Sequence, residues 1–164
     1  MADGTSRDSS PAQVEIRECR RDDFETLYQI DRACYPPGIY YPRPVLREYI
    51  AAQGAHTLVV EANGQIAGFI IVQDLGRGLG HVVTIDVLAD FRHAGIGSAL
   101  LRAGEMWLAS QGVTRVRLET AVDNIAAIAL FQKFGYQVAS LLSDYYRNES
   151  DAYLMEKILP PDIA

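Results

Sequence analysis

The chain has 164 residues, 49% of them hydrophobic and 22% charged, with a net charge of −6. That is about one domain with a real core, and its acidic balance speaks against nucleic acid or an anionic membrane as partner, since both need a basic footprint. Two cysteines, Cys19 and Cys34, make neither a zinc site nor a disulfide framework. No run approaches the roughly 20 apolar residues of a membrane span. The expected setting is a reducing cytoplasm, without a metal, for a monomer or homodimer.

Residues 1–12 are polar, rich in Ser and Asp, and are expected to be a disordered tail before a single domain over 13–164. QVEIREC alternates like a strand, and RDDFETLYQIDRAC carries Phe24, Leu27, Tyr28, Ile30 and Ala33 at helical spacing. YPPGIYYPRP is too rich in proline for either and reads as a loop. VLREYIAAQG reads as a short helix ended by Gly54. HTLVVEA and QIAGFIIVQDL flank Asn63-Gly64, a strong hairpin signal, and LGHVVTIDVL is a third β-branched run. A helix follows between Gly95 and Gln111, and RVRLETA is a strand. DNIAAIALFQKFGY is a helix with Asp123 as its N-cap, and YQVASLL and AYLMEKIL are two last strands around SDYYRNESD. The expected order is β-α-α-β-β-β-α-β-α-β-β, an α/β fold with a mixed, mostly antiparallel sheet.

RHAGIGSALL places two glycines at the start of a helix. It differs from a dinucleotide fingerprint: ADFRHA separates the strand from the first glycine, and Leu100 stands where a third glycine would be. No Lys-Ser/Thr follows, which excludes a P-loop. Two readings stay open on the residues alone, a plain helix-start turn or an anion cradle. In the second, first-turn N–H groups without intrahelical partners face a pyrophosphate.

VLADFRHAGIGSALL resembles the acetyl-CoA-binding motif of the GNAT acetyltransferase superfamily. RLETAVDNIAAIALFQKFGY is similar to the family's next motif: a strand, an Asn, an Ala-rich helix and Gly-Phe/Tyr. The resemblance implies the GNAT fold and acetyl-CoA as cofactor. It implies that Arg92, His93, Ala94, Gly95, Ile96, Gly97 and Ser98 hold the pyrophosphate. Ile85 and Val87 would pair with the pantetheine arm through their backbone, with Asn124 and Phe131 beside it.

The closer likeness is to ribosomal-protein alanine and other protein N-terminal acetyltransferases. It implies Glu119 as catalytic base and His81 as a second, water-holding group. DYYRNESDAYLMEK is similar to a segment whose tyrosines line the acceptor groove, here Tyr145 and Tyr146. Asp151 would shape that loop, and Glu149 replaces the usual glycine. Tyr40 and Tyr41 in the Pro-Tyr loop would form the opposite wall. Where the family has a tyrosine general acid, this chain has Phe131, with water or Tyr146 as substitutes.

The expected reaction is direct attack by a protein N-terminal α-amine on acetyl-CoA in a ternary complex. An α-amino group with a pKa of about 7.7–8.0 is roughly a tenth neutral at pH 7, far more than a Lys at about 10.4. The alternatives are a Lys or small-molecule amine as acceptor, or an acyl-CoA-binding regulatory module with little turnover, the last motivated by Phe131.

Overall fold

In the computed structural model, which describes residues 13–161, seven strands form one sheet in the order β1-β2-β3-β4-β5-β7-β6. Chain order runs β1 (Val14–Glu18), α1 (Phe24–Cys34), α2 (Arg43–Ala51), β2 (Ala55–Ala62), β3 (Gln65–Asp74) and β4 (Leu79–Val87). It continues with α3 (Ile96–Ser110), β5 (Arg115–Ala121), α4 (Ile125–Lys133), β6 (Gln137–Leu142) and β7 (Ala152–Ile158). This is the expected succession of elements. The tail expected over residues 1–12 lies outside the described residues.

Every neighbouring pair in the sheet is antiparallel except β4 with β5, which α3 joins as a crossover. Helices cover both faces. On one side α3 and α4 pack on Val60, Ile70, Val72, Val82, Val116 and Leu118. On the other, α1 and α2 bury Leu27, Ile30 and Leu46 against Val59, Phe69 and Ile71. Each face receives alternate residues of the same strands, which is why the central strands read as continuous apolar runs rather than as alternating ones. Asn63 and Gly64 both have positive φ, 54° and 79°, the pairing a two-residue hairpin turn needs to follow the twist of its strands.

Four boundaries differ from expectation. α1 is preceded by a single 3-10 turn, Arg21–Asp23, in which the Asp23 carboxylate accepts from the Arg20 N–H. α2 starts at Arg43, inside the segment assigned to the loop, because Pro44 in the first turn would have no intrahelical N–H partner to lose. It also stops at Ala51, with Ala52 already extended, so Gly54 belongs to the turn into β2. α4 is capped by Asn124 rather than Asp123: the Asn124 side-chain oxygen accepts the Ala127 N–H at 3.2 Å.

Candidate active site

The site begins where β4 and β5 part. They pair only between residues 79–82 and 115–118. The register of β4 against β3 then slips by one at Val83, an extra residue that bends the strand. β5 meanwhile stays bonded to β7 as far as Ala121. Between the diverging strands lies a cleft of about 610 Å³, open to solvent. Residues 82–85 and 118–121 line its floor, α4 contributes Asn124, Ala127 and Phe131, and Tyr35, Ile39 and Tyr41 face Tyr145 and Tyr146 across it.

Beyond Val83, one edge of β4 faces the cleft instead of a strand. The alternation that pairs Thr84 and Asp86 with β3, and sends the Leu88 N–H to the Ala67 carbonyl, turns Ile85 and Val87 outward. Side chains meet their carbonyls. The Tyr35 hydroxyl donates to the Ile85 oxygen at 2.9 Å, Arg92 Nε to that of Val87 at 3.0 Å, and the Tyr41 hydroxyl to that of Val83 at 3.2 Å. The N–H groups of Ile85 and Val87 point the same way, so an extended ligand can add to this edge as another strand would.

The glycine stretch sits at the far end of that edge. His93 and Gly95 both have left-handed φ, 62° and 78°, and Gly95 is the N-cap of α3. The first helical bond runs from the Ala99 N–H to the Gly95 carbonyl. Ile96, Gly97 and Ser98 therefore offer amides with no intrahelical partner at the positive end of a 15-residue helix. A Cβ on Gly97 would stand 3.4 Å from Leu130 Cδ2, so a small residue lets α3 and α4 close side by side here. His93, Ala94 and Gly95 are exposed, while Arg92 is turned back to Val87 rather than toward the cradle.

Glu119, one residue past the last β4–β5 pair, projects into the cleft, and its Oε2 lies 2.7 Å from His81 Nε2. His81 does not line the cleft wall; it stands behind the carboxylate. Asn124 spends its oxygen on the α4 cap, which leaves its amide nitrogen toward the cleft. Phe131 is buried edge-on to Tyr136, with ring centroids 5.8 Å apart, and it offers no proton.

The tyrosines divide. Tyr41 lines the cleft with its phenol on Val83, and burial pushes its pKa up. Tyr40 does not line it; its ring lies under the Arg32 guanidinium, 5.2 Å away. Tyr145 and Tyr146 stand edge to face with centroids 4.9 Å apart. Burial, then the charge of Glu119, pushes Tyr145 up to about 12. Asp151 holds their loop by accepting the Asp144 N–H at 2.9 Å. Glu149 keeps a left-handed φ of 63°, so the loop bends as a glycine would have it. The Arg147 N–H donates to the Gly38 carbonyl at 3.2 Å, tying the two loops together beside Ile39 and Tyr146.

Three residues that the sequence reading missed converge under β4. Asp31 and Asp86 are both fully buried, at 0% and 1% exposure. Asp31 Oδ2 accepts the Tyr41 N–H at 2.7 Å, and Asp86 Oδ1 accepts the Thr84 hydroxyl at 2.6 Å. The remaining oxygens, Asp31 Oδ1 and Asp86 Oδ2, have no other donor, and one shared proton satisfies both. Burial raises both carboxyls, and the charge of Asp31 adds to the rise of Asp86. Tyr35 lies beside them, its pKa held well above the ordinary phenol value by burial and then by Asp86. A signal existed for two of the three: each is an acid within an otherwise apolar helix face or strand.

An anion cradle, an open strand edge and a carboxylate at the end of that edge fit one ligand class, a long thioester with a pyrophosphate at its far end. That makes the fold and site those of an acyl-CoA-dependent acyltransferase. The chain belongs to the acetyltransferase (GNAT) family, whose profile matches residues 24–136. It is 32% identical over 155 residues to an N-alpha-acetyltransferase of Sulfurisphaera tokodaii, covering 87% of this chain and 92% of that one. Ard1 from Thermoplasma volcanium superimposes with a TM-score of 0.82 at 29% identity, over 90% of this chain and 98% of that one. Naa50 of Arabidopsis thaliana, solved with the bisubstrate analogue CoA-Ac-MVNAL, gives 0.77 at 25% identity, over 89% and 99%. The protein is an N-acetyltransferase that uses acetyl-CoA. Among the described residues no helix is long and apolar enough to cross a membrane.

Proposed function

We propose that the acceptor is a protein N-terminal α-amine, acetylated by direct attack in a ternary complex. The observation that carries this reading is the Gly38–Arg147 bridge beside a cleft that holds Glu119. Loops joined in this way leave a passage suited to one end of a chain, whereas an internal Lys brings flanking chain on both sides. The relatives named N-alpha-acetyltransferase, and the peptide analogue in the Naa50 complex, support the same acceptor.

When bound, acetyl-CoA supplies an acetyl group activated as a thioester. The amides of residues 93–98 would hold its pyrophosphate, with Arg92 at the rim. The backbone N–H groups of Ile85 and Val87, the Asn124 amide and the Phe131 ring would align its arm. Glu119 takes a proton from the incoming ammonium, directly or through a water, which frees the lone pair for attack. His81 holds the carboxylate in place. Tyr41, Tyr145 and Tyr146 contact the first peptide residues, and Tyr40 lies outside, at the mouth.

The test is release of free CoA from acetyl-CoA mixed with peptides that carry either a free N-terminus or a blocked N-terminus and an internal Lys. Release is expected only with the free terminus, and Glu119→Gln should suppress it. Release that follows the Lys side chain would overturn the assignment.

A further inference from the structure

Glu119 is one of three charged residues that β5 turns to the same side. Val116 and Leu118 go into the core beneath α3 and α4, so strand alternation sends Arg115, Arg117 and Glu119 to the opposite face. There α1 and α2 pack on β2, β3 and the bulge of β4, while β5, β7 and β6 extend the sheet past them. This outer half stays open: Arg115 is exposed, and Ile158, opposite it on β7, is 77% exposed. An acceptor that reaches Glu119 from the side of Tyr41 has this strip of bare sheet behind it, and Arg117 is the next charged side chain along β5.

Arg117 is half-buried and unsatisfied. In the sheet register it stands between His81 on β4 and Glu156 on β7. Its Nε is buried with no hydrogen-bond acceptor. Among the described residues it forms no ion pair, with Glu156 or any other acid, and Glu119 is turned to His81 instead. A buried guanidinium donor without an acceptor costs stability, which a bound carboxylate would return. The charge also lies toward the acceptor wall: burial, then Glu119 and Tyr49, raise the Tyr145 phenol, and Arg117 works against them.

We propose that Arg117 selects acceptors that carry an acidic side chain at their third residue. The inference rests on the N-terminal acetyl-transfer reading above. Glu119 and Arg117 are two residues apart on one strand, about 6.6 Å. An extended acceptor with its α-amine at Glu119 brings its third residue the same distance along, and its third side chain faces the same way as its first. A carboxylate there takes the free guanidinium N–H as a charge-assisted bond, which a neutral amide of the same size does not match. The second side chain points away from β5, so its charge counts for less. The chain as a whole carries a net charge of −6, and its general field opposes an acidic peptide, so a preference confined to one position has a local cause.

The experiment is a positional scan. Otherwise identical peptides with free N-termini carry glutamate or glutamine at the second, third, fourth or fifth residue, and kcat and KM are measured from CoA release. Wild type should favour glutamate by about tenfold in kcat/KM at the third residue, the low end for a hydrogen bond to a charged group, and by less than about threefold elsewhere. The gain should sit in KM, because the contact is remote from the reacting atoms and equal in ground and transition states. Arg117→Gln should abolish the preference, and Arg117→Lys, which keeps the charge, should retain part of it.

A glutamate preference that is absent, that peaks at another position or that survives Arg117→Gln would overturn the proposal and leave the acetyl-transfer reading intact. Each preference is a ratio internal to one enzyme, so partial unfolding of a variant does not imitate it. Should neither variant fold, the wild-type scan decides alone. If wild type acetylates no free N-terminus, that reading falls and this proposal falls with it.

Discussion

His81 and Glu119 meet across the end of the β4–β5 junction, 2.7 Å apart, with most of both side chains out of solvent. Only Glu119 reaches the cleft, so the two form one unit with a working end and a support. Glu119→Gln should lower kcat by about 10²–10⁴-fold, the range for a positioned base. His81→Asn should cost less and leave the Kd for acetyl-CoA unchanged. Because residues that act as a unit are not additive, the double variant should be no slower than Glu119→Gln alone. Steady-state kinetics of CoA release checks this, and multiplied losses would show that His81 acts independently.

The cradle makes a second prediction. Gly95 has a φ of 78°, where a side chain costs about 1–2 kcal/mol, and a Cβ there meets nothing within 4 Å. Gly95→Val therefore strains the loop and places bulk over the free amides without a clash inside the protein. Titration calorimetry should find acetyl-CoA binding weakened by about tenfold, because the free loop relaxes from the left-handed form and must regain it to bind. The KM for peptide should hold steady. Equal loss for both ligands would mean general misfolding.

The Asp31–Asp86 pair should make stability depend on pH. The folded pKa of Asp86 is raised, so between the unfolded value, about 3.9, and the folded one, the native state holds a proton that the unfolded chain has released. Stability is then greatest below the unfolded pKa and is lost as pH rises through that window. Asp86→Asn keeps the Thr84 hydrogen bond and replaces the shared proton with an amide N–H. Urea unfolding at a series of pH values should show the variant gaining on wild type from acid to neutral pH. Parallel curves would mean that the pair does not share a proton.

On the opposite face, Glu105 of α3 is 2% exposed and accepts from Lys157 Nζ at 2.7 Å and from the Tyr136 hydroxyl at 2.8 Å. Lys157→Met leaves a buried carboxylate with one neutral donor. The expected cost is about 3 kcal/mol, the low end for breaking a buried pair, because the phenol remains. Glu105→Gln with Lys157→Met should recover part of it. Thermal melting of the two variants distinguishes a paired charge from a merely packed one.

The sequence made the order of elements legible because helix and strand periods differ and because Gly and Asn mark the turns. α2 hid its first turn behind Pro44, which reads as a breaker anywhere except at a helix start. Glu119, Asn124 and the glycines were legible through motif spacing, being close along the chain. Tyr35 was not, and Asp31 and Asp86 showed only as acids in apolar surroundings with nothing to pair them, since the three join α1 and the Pro-Tyr segment to a strand far along the chain, and proline-rich segments have no period to extrapolate. Val83 was invisible for another reason: one added valine in HVVTIDVL does not disturb an apolar run, yet it opens the cleft.

The bond between Arg147 and Gly38 also bears on traffic. On the proposed acceptor, with the two loops tied, a peptide would thread in by its first residue and withdraw along the same track, so every turnover would require the product to back out before another chain could enter. A head-to-tail cyclic peptide of the same composition has no tip to insert and would not compete with its linear counterpart. The enzyme would then respond to how many free ends a mixture contains, whatever the total amount of peptide.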